Sequence, residues 1–239
     1  MILSRKIFSF LGIAALPFIL FACIQGVKGN GQVEREVRSI EHFESLEISG
    51  FFDVYIRQGD SPDLEVVADE NLLELIRHEV EAGELKVWIS EDIRKAEKME
   101  IYITYTHLSE INLSGAIDLD SKGVIENDEF SIDISGATDA KIALNVNHLN
   151  VDVSGAAELW LSGKAYEFDA DISGAVDLDA YELETREIDM DLSGAGSAKL
   201  WVTEKLDAEV SGAGSIRYKG NPKSISKDIS GAGSIRQID

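Results

Sequence analysis

The hydrophobic and polar positions of this chain repeat about every 19 residues over its second half. The triplet Ser-Gly-Ala recurs there seven times, at intervals of 18 to 21 residues. Its serines are Ser114, Ser135, Ser154, Ser173, Ser193, Ser211 and Ser230. Repetition at such a period is typical of proteins built from stacked structural units. We therefore number the positions of each repeat from its serine, which is position 0.

Apolar and polar residues alternate on both sides of that serine. Position −1 holds Leu113, Ile134, Val153, Ile172, Leu192, Val210 and Ile229, and position −3 is apolar in every repeat except the last, which has Lys227. Position −2 between them is acidic in six of the seven repeats, and position +5 is apolar in all of them. A period of two predicts strands with one buried face. The pattern thus predicts an all-β fold, with two or three short strands in each repeat.

The Ser-Gly-Ala triplet is interpreted as a bend that recurs in every layer. Stacked strands lie about 4.8 Å apart, so each position would lie over its counterpart in the previous repeat. Glycine supplies unusual backbone angles or a close approach between chains. Alanine would leave room where a larger side chain would collide.

The first half of the chain follows this pattern less regularly. Ser49 and Gly50 begin a similar repeat in which Phe51 replaces the alanine. The 65 residues from there to Ser114 are enough for about three more turns, which we predict. The apolar spacing in Asn71–Val80 predicts a short helix that ends before Gly83.

The first residues are typical of an export signal. Arg5 and Lys6 precede a long apolar stretch, and no acidic residue occurs before Glu34. The segment "LFAC", which ends at Cys23, resembles the lipobox of bacterial lipoproteins, in which the cysteine carries the lipid. We predict a signal peptide over 1–22, lipidation at Cys23, a tether over 23–33 and one β-domain over 34–239. The alternative is an uncleaved membrane helix, which Pro17 and the short apolar length disfavour.

Composition excludes several classes of function. The 239 residues include 22 basic and 44 acidic ones, for a net charge of −22, which would repel the phosphates of nucleic acids. The chain has one cysteine and four scattered histidines, so it cannot build a disulfide framework or a Cys/His metal cluster. We expect no nucleic-acid partner.

Two acidic columns are the candidate ligand or cation face. They hold Asp133, Asp152, Asp171 and Asp191 at position −2, and Asp118, Asp139, Glu158 and Asp177 at position +4. Stacked carboxylates could bind Ca²⁺, which prefers oxygen ligands. The preferred interpretation is a solvated acidic face, because the regular aspartate and glycine spacing of calcium loops is missing. We predict no catalytic residue, no metal ligand and no cofactor other than this possible Ca²⁺.

The last three repeats differ in composition from the others. Position +6 becomes basic, with Lys199, Arg217 and Arg236. This column could bind acidic glycans, but we prefer a charged cap that protects an open sheet end from aggregation. Lys227 at an inward position fits the same interpretation. Trp160 at an outward position could stack on a sugar, although single exposed aromatic residues are ordinary.

The chain resembles a known family from Gly29 to Asp239. The resemblance lies in "GNGQVEREVRSIEHFESLEISGFFDVYIRQG", "ADENLLELI" and "GELKVWIS", followed by the Ser-Gly-Ala repeats. These segments resemble the family of putative auto-transporter adhesins with a head GIN domain, common among lipoproteins of Bacteroidetes. The resemblance implies a single-chain right-handed parallel β-helix (a solenoid) with turns of about 19 residues, exported and lipid-anchored. It supplies no binding residues.

Together, these features predict a monomeric lipoprotein of the cell envelope. We expect it at the outer membrane, on the periplasmic side or at the cell surface, held to the membrane by its lipid. Its expected role is non-catalytic, adhesin-like surface binding to an unidentified protein or glycan. The alternatives are a polysaccharide lyase or glycosidase on a β-helix, and a purely structural solenoid.

Overall fold

The computed structural model describes residues 26–238, most of which lie in β-strands. The elements are β1 (Val27–Lys28), β2 (Val33–Arg38), β3 (Ser45–Gln58), β4 (Asp63–Asp69), a 3-10 helix (Glu70–Leu75), β5 (Ile76–Glu81), β6 (Glu84–Ile89), β7 (Ile93–Lys95), β8 (Met99–Tyr105), β9 (Glu110–Gly194), β10 (Ser197–Gly212), β11 (Ser215–Lys219), β12 (Ser224–Gly231) and β13 (Ser234–Gln237). Strands β1 and β7 form a small sheet, and the other strands form one open sheet. The predicted all-β class is confirmed.

Equivalent positions of neighbouring repeats pair in parallel. Strand β3 pairs with the start of β9, so that Ser49 lies beside Ser114 and Gly50 beside Gly115. Strand β10 pairs in the same way with the end of β9 on one side and with β11 and β12 on the other. Strand β9 runs through four bends without a break, so the predicted short strands merge into one long element.

The bend glycines lie directly over one another. A Cβ atom added to Gly155 would lie closer than 3.0 Å to the carbonyl oxygen of Gly136, and Gly136 has the same relation to Gly115. The φ angles of these three residues are +140°, +139° and +118°, in a region that other residues rarely adopt. Glycine is therefore required at this position for the two reasons that the sequence suggested, the unusual backbone angle and the close approach of the neighbouring chain.

The inward columns form one continuous core. The side chains at positions −1, −3 and +5 are buried in the repeats from Ser114 to Ser211. Phe130 and Phe168, which precede their serines by five positions, are fully buried as well. Each buried aliphatic side chain contributes about 1.5–3 kcal/mol. The last repeat is the exception, because Ile229 is 44% exposed and Lys227 is exposed.

The predicted helix over Asn71–Val80 is wrong beyond its first half. The 3-10 helix covers Glu70–Leu75, and Ile76–Glu81 is a strand that pairs antiparallel with β6. Residues Ala82 and Gly83 connect the two strands with φ angles of +51° and +84°. Positive φ at both central residues is the mark of a tight hairpin turn, which selects the strand over the helix.

The three additional turns predicted before Ser114 are also wrong. Because β3 pairs directly with β9, no layer lies between the first two bends. The intervening chain lies on the other side of β3, where β6 and β8 pair with it in parallel. Strands β4 and β2 then add antiparallel and end the sheet. This part of the chain closes one end of the structure.

Asp69 holds Gly31, within the segment over 26–33, at that end of the structure. Its buried carboxylate accepts hydrogen bonds from the backbone N–H groups of Gly31 and Glu97, at 2.5 and 2.7 Å. Burial alone would raise the pKa of Asp69, but these backbone hydrogen bonds outweigh it and lower that pKa. Strand β1 in the same segment pairs with β7.

The described residues contain no helix that is long and apolar enough to span a membrane. Cys23 and the predicted signal peptide lie outside the described residues. Lipidation at Cys23 therefore stays a prediction.

We predict that Gly155→Ala strongly destabilises the protein, because the added Cβ would collide with the backbone of the neighbouring layer. Gly123→Ala is the matched control, since Gly123 has a φ of +105° but open space around the position of a Cβ. The control should lower the free energy of unfolding by about 1–3 kcal/mol through backbone strain alone. Gly155→Ala should lower the free energy of unfolding by at least about 1 kcal/mol more than the control does. Urea unfolding measures both, and equal losses would contradict the stacked arrangement.

Candidate functional site

The first candidate site is an open groove of about 810 Å³ beside the bends, which we call the alanine groove. Its floor carries the alanines of four triplets, Ala116, Ala137, Ala156 and Ala175. Acidic side chains at position +4 line it: Asp53, Asp118, Asp139, Glu158 and Asp177. The small floor residues leave the carboxylates accessible along several consecutive layers.

One end of the alanine groove is closed by aromatic and charged residues. Phe51 lies beside Ala116 in register and its ring is 6.3 Å from that of Phe52. The segment over 96–100 also lines this end. Phe51 therefore ends the alanine column, which explains why the first repeat departs from the triplet.

The acidic column of the alanine groove continues through Asp53, the +4 residue of the first repeat, to Glu100, which the sequence pattern did not indicate. Asp53 pairs in register with Asp118 on one side and with Glu100 on the other. Burial, and then the charges of Asp118 and Glu100, raise the pKa of Asp53. At its other end, the Ser197 hydroxyl donates a hydrogen bond of 2.7 Å to Asp177, where serine replaces the acid.

The second candidate site lies before the bends and is called the serine groove, with a volume of about 590 Å³. The triplet serines Ser114, Ser135, Ser154, Ser173 and Ser193 line it, together with Asp133, Asp152, Asp171 and Asp191. Glu47 and Asn112 continue the same column in the first layers. This groove is smaller than the alanine groove but equally regular.

Like charges in neighbouring layers affect the acids of the serine groove. Burial and then the charges of Asp152 and Glu110 raise the pKa of Asp133. Burial raises the pKa of Asp191 as well, with added contributions from Asp171, Asp189 and Asp207. Both carboxyls thus hold their protons more strongly than an isolated aspartate.

A further acidic column was missed in the sequence. It lies at position −4 and includes Glu110, Asp169, Asp189 and Asp207. Asp189 pairs in register with Asp207, and burial together with that charge raises the pKa of Asp189. The alternation around position −3 could have revealed this column, because position −4 must face outward whenever position −3 faces inward.

All eight predicted face residues line a groove, but they do not form one site. Asp118, Asp139, Glu158 and Asp177 line the alanine groove. Asp133, Asp152, Asp171 and Asp191 line the serine groove. The Ser-Gly-Ala bend separates the two sets, so a ligand of one groove meets four of the predicted acids.

Metal binding and sugar stacking find no ready-made geometry in residues 26–238. No group of three His, Cys, Asp or Glu side chains in this part of the chain is close enough to hold a metal ion.

The ammonium of Lys141 lies 5.0 Å from the centre of the Trp160 ring, and that of Lys219 lies 4.3 Å from the centre of the Trp201 ring. A sugar that stacked on those ring faces would have to displace a cation.

The basic column at position +6 is formed as predicted from its spacing. Lys199, Arg217 and Arg236 pair in register in consecutive layers. Lys199 is bound to the carboxylate of Asp179 at 2.6 Å, so part of its charge is already compensated. These contacts test neither the charged cap, which is the preferred interpretation, nor its alternative, the binding of acidic glycans.

Comparison with known proteins identifies relatives of the whole β-rich part. Residues 42–222 match the profile of a family described as "Putative auto-transporter adhesin, head GIN domain". The chain is similar to the crystal structure of "a putative adhesin" from Bacteroides fragilis, with 26% identity and a TM-score of 0.85 over 89% of this chain and 100% of the other. No curated protein matches it.

Two other solved structures share the fold. A "putative adhesin" from Parabacteroides merdae has 21% identity and a TM-score of 0.67, over 90% of this chain and 99% of the other. A "putative lipid binding protein" from Parabacteroides distasonis has 23% identity and a TM-score of 0.71, over 90% of this chain and 100% of the other.

We predict that replacing Asp133, Asp152, Asp171 and Asp191 by Asn stabilises the protein at pH 7. The pKa values of Asp133 and Asp191 are raised in the folded state, so ionisation of these two carboxyls penalises folding as the pH rises above the unfolded value of 3.8. The free energy of unfolding should rise by at most about 1 kcal/mol for each pair of neighbouring aspartates, and by less at high salt. Urea unfolding between pH 3 and pH 7 measures it.

The control variant makes the same charge change outside both grooves, with Glu41→Gln, Asp60→Asn, Glu126→Gln and Glu182→Gln. If this variant gains as much stability at pH 7, the gain comes from the lower total net charge. The stacked acids would then carry no specific repulsion.

Proposed function

Because the chain belongs to the family of putative auto-transporter adhesins with a head GIN domain, we propose that it is a non-catalytic, adhesin-like binding module of the cell envelope. The relative from Bacteroides fragilis is itself described as a putative adhesin. Its ligand is a protein or glycan that contacts the grooves at several successive layers.

We further infer that the open sheet is a right-handed parallel β-helix with turns of about 19 residues. The parallel registers support this, because Ser193 lies beside Ser211 and Ser211 beside Ser230. The glycine contacts at the bends support the same offset through β9. A rigid coil of this kind holds the repeated side chains at fixed spacing.

The regular acidic lining of the two grooves is the observation that carries the proposal. In each groove, four predicted acids repeat in successive layers. A catalytic site needs side chains that differ from layer to layer, such as an acid and a base in unlike environments. Acidic side chains that recur in four successive layers instead suit an extended ligand that makes the same contact several times, as in multivalent binding.

The ligand that best suits these grooves carries positive charge, or itself supplies oxygen ligands to a bridging Ca²⁺, since no three carboxylates of the described residues are close enough to hold the ion alone. The net charge of −22 attracts cationic partners and repels anionic ones. Several weak contacts on one rigid surface add up to useful affinity because the surface needs no ordering on binding.

We predict that amide substitution of a groove weakens adhesion by at least about tenfold, because four contacts are lost together. The alanine-groove variant is Asp118→Asn, Asp139→Asn, Glu158→Gln and Asp177→Asn, and the serine-groove variant replaces its four aspartates. The probes are arrays of glycans and of extracellular-matrix proteins, each with and without Ca²⁺. The variant with changes at Glu41, Asp60, Glu126 and Glu182 is again the control.

Equal binding by the groove variants and the control would contradict the role of the grooves. Release of reducing ends or of unsaturated uronates from polysaccharides would favour the enzyme instead. Neither result depends on the stability of the variants, because folding is checked separately by circular dichroism.

The membrane attachment that we propose is a lipid on Cys23. The basic residues Arg5 and Lys6, the apolar stretch and the segment "LFAC" support it. The lipid would hold a monomeric β-domain at the outer membrane, on its periplasmic or its outer side. A thioether lipid requires the cysteine thiol, so no other residue can replace it.

We predict that wild-type protein made in bacteria fed labelled palmitate carries the label, and that Cys23→Ser carries none. The substituted protein should also leave the membrane fraction or accumulate as a precursor. Unlabelled wild-type protein that stays in the membrane fraction would favour the uncleaved helix.

A further inference from the structure

Strand β12 (Ser224–Gly231) is a free edge of the large sheet. It pairs with β10 through eight residues on one side, and no other strand within residues 26–238 pairs with its other side. The backbone N–H and C=O groups that point away from β10 are therefore available to a further strand. All eight residues of β12 are exposed.

Two isoleucines on β12 lack the layer that covers their counterparts. Ile225 and Ile229 are 45% and 44% exposed. They pair in register with Leu206 and Val210 of the preceding layer, which are both 0% exposed. The difference arises from position alone, because one more strand would bury both side chains as β12 buries their counterparts.

A cation lies between these isoleucines on the same side of the strand. Lys227 pairs in register with Ala208, which is buried. Its ammonium donates a hydrogen bond of 3.0 Å to the Tyr218 hydroxyl and lies 4.7 Å from the centre of that ring. The edge thus presents an apolar, a positive and an apolar side chain at every second residue.

A second copy of the chain does not complement this edge. Antiparallel self-pairing that covers both isoleucines would set the two Lys227 side chains opposite each other, which is unfavourable. The strand β2 at the other end turns Glu34, Glu36 and Arg38 toward the core side, since these residues pair with buried Ala68, Val66 and Leu64. Charges of that kind cannot cover Ile225 and Ile229.

We propose that this edge binds an extended segment of a partner protein with two aliphatic residues four positions apart and a carboxylate midway between them. The segment adds a strand to β12, so that backbone hydrogen bonds supply affinity. Its aliphatic side chains cover Ile225 and Ile229. Its carboxylate pairs with Lys227, which selects this partner over a second copy of the chain.

The direct test is the binding of a short, end-capped peptide to the full chain. The peptide has seven residues, with valine at its second and sixth positions, glutamate at its fourth and threonine elsewhere. It reads the same in both directions, so its valines and glutamate can align with Ile225, Ile229 and Lys227 in either strand orientation. We expect chemical-shift changes in the NMR spectrum confined to β12, β13 and the residues around Tyr218.

Charge exchange tests the role of Lys227. The peptide with glutamate should bind wild-type protein about fivefold more tightly than the same peptide with lysine at its centre, because an attractive pair replaces a repulsive one. The variant Lys227→Glu should reverse this preference. An unchanged preference would overturn the proposal, and so would shifts that map to β2.

Two controls test whether binding depends on this edge. Ile229→Asp should abolish binding of both peptides, whereas the variant with changes at Glu41, Asp60, Glu126 and Glu182, which lie outside β12 and both grooves, should bind them like wild type. Sedimentation velocity over a range of concentrations tests whether a second copy of the chain binds to this edge instead. A dimer that Ile229→Asp dissolves would mean that a second copy takes the edge and would overturn the choice of a partner segment.

Discussion

The close approach of backbones at the bends is the constraint on which the rest of the structure depends. A carbonyl oxygen of one layer occupies the space that a side chain of the next layer would need, as Gly136 and Gly155 illustrate. Because φ is also positive there, glycine satisfies two requirements at once. The repeated glycine fixes the register, and a shift by one residue would turn every buried side chain outward.

Fixed register has an electrostatic cost, since it aligns like side chains in columns. Asp133 and Asp191 each lie near carboxylates of the neighbouring layers. Burial raises the pKa of both side chains, and the neighbouring negative charges raise it further. The buried columns that the same register creates supply the compensating stability. The proposed ligand contact would account for acidic columns that cost stability and yet recur in both grooves, whereas scattered charges would provide solubility without that cost.

The sequence predicted what the repeat determines and failed where the repeat stops. The inward columns, the bend and both acidic columns follow from period-two alternation counted from each serine. The reversal at Ile76 does not, because the choice between helix and strand depended on the turn at Ala82 and Gly83. The pairing of β3 with β9 was equally hidden, since local pattern reveals which face is buried but does not reveal which strand lies beside it. Glu100 lies beside Asp53 in the alanine groove through the pairing of β8 with β3, which was also not predicted.

The two ends of the sheet solve the same problem differently. Any stack of parallel strands leaves its last layer half covered, and an uncovered edge invites association. At the first end the chain itself adds the antiparallel strands β4 and β2, and Arg38 of β2 is held by the carbonyl oxygens of Leu73 and Ile76. At β12 nothing equivalent is built from the described residues, and a lysine replaces the apolar residue of every earlier layer. A lysine alone leaves two isoleucines nearly half exposed, so it disfavours self-pairing without closing the edge, and this combination is what the proposed contact with a partner segment requires.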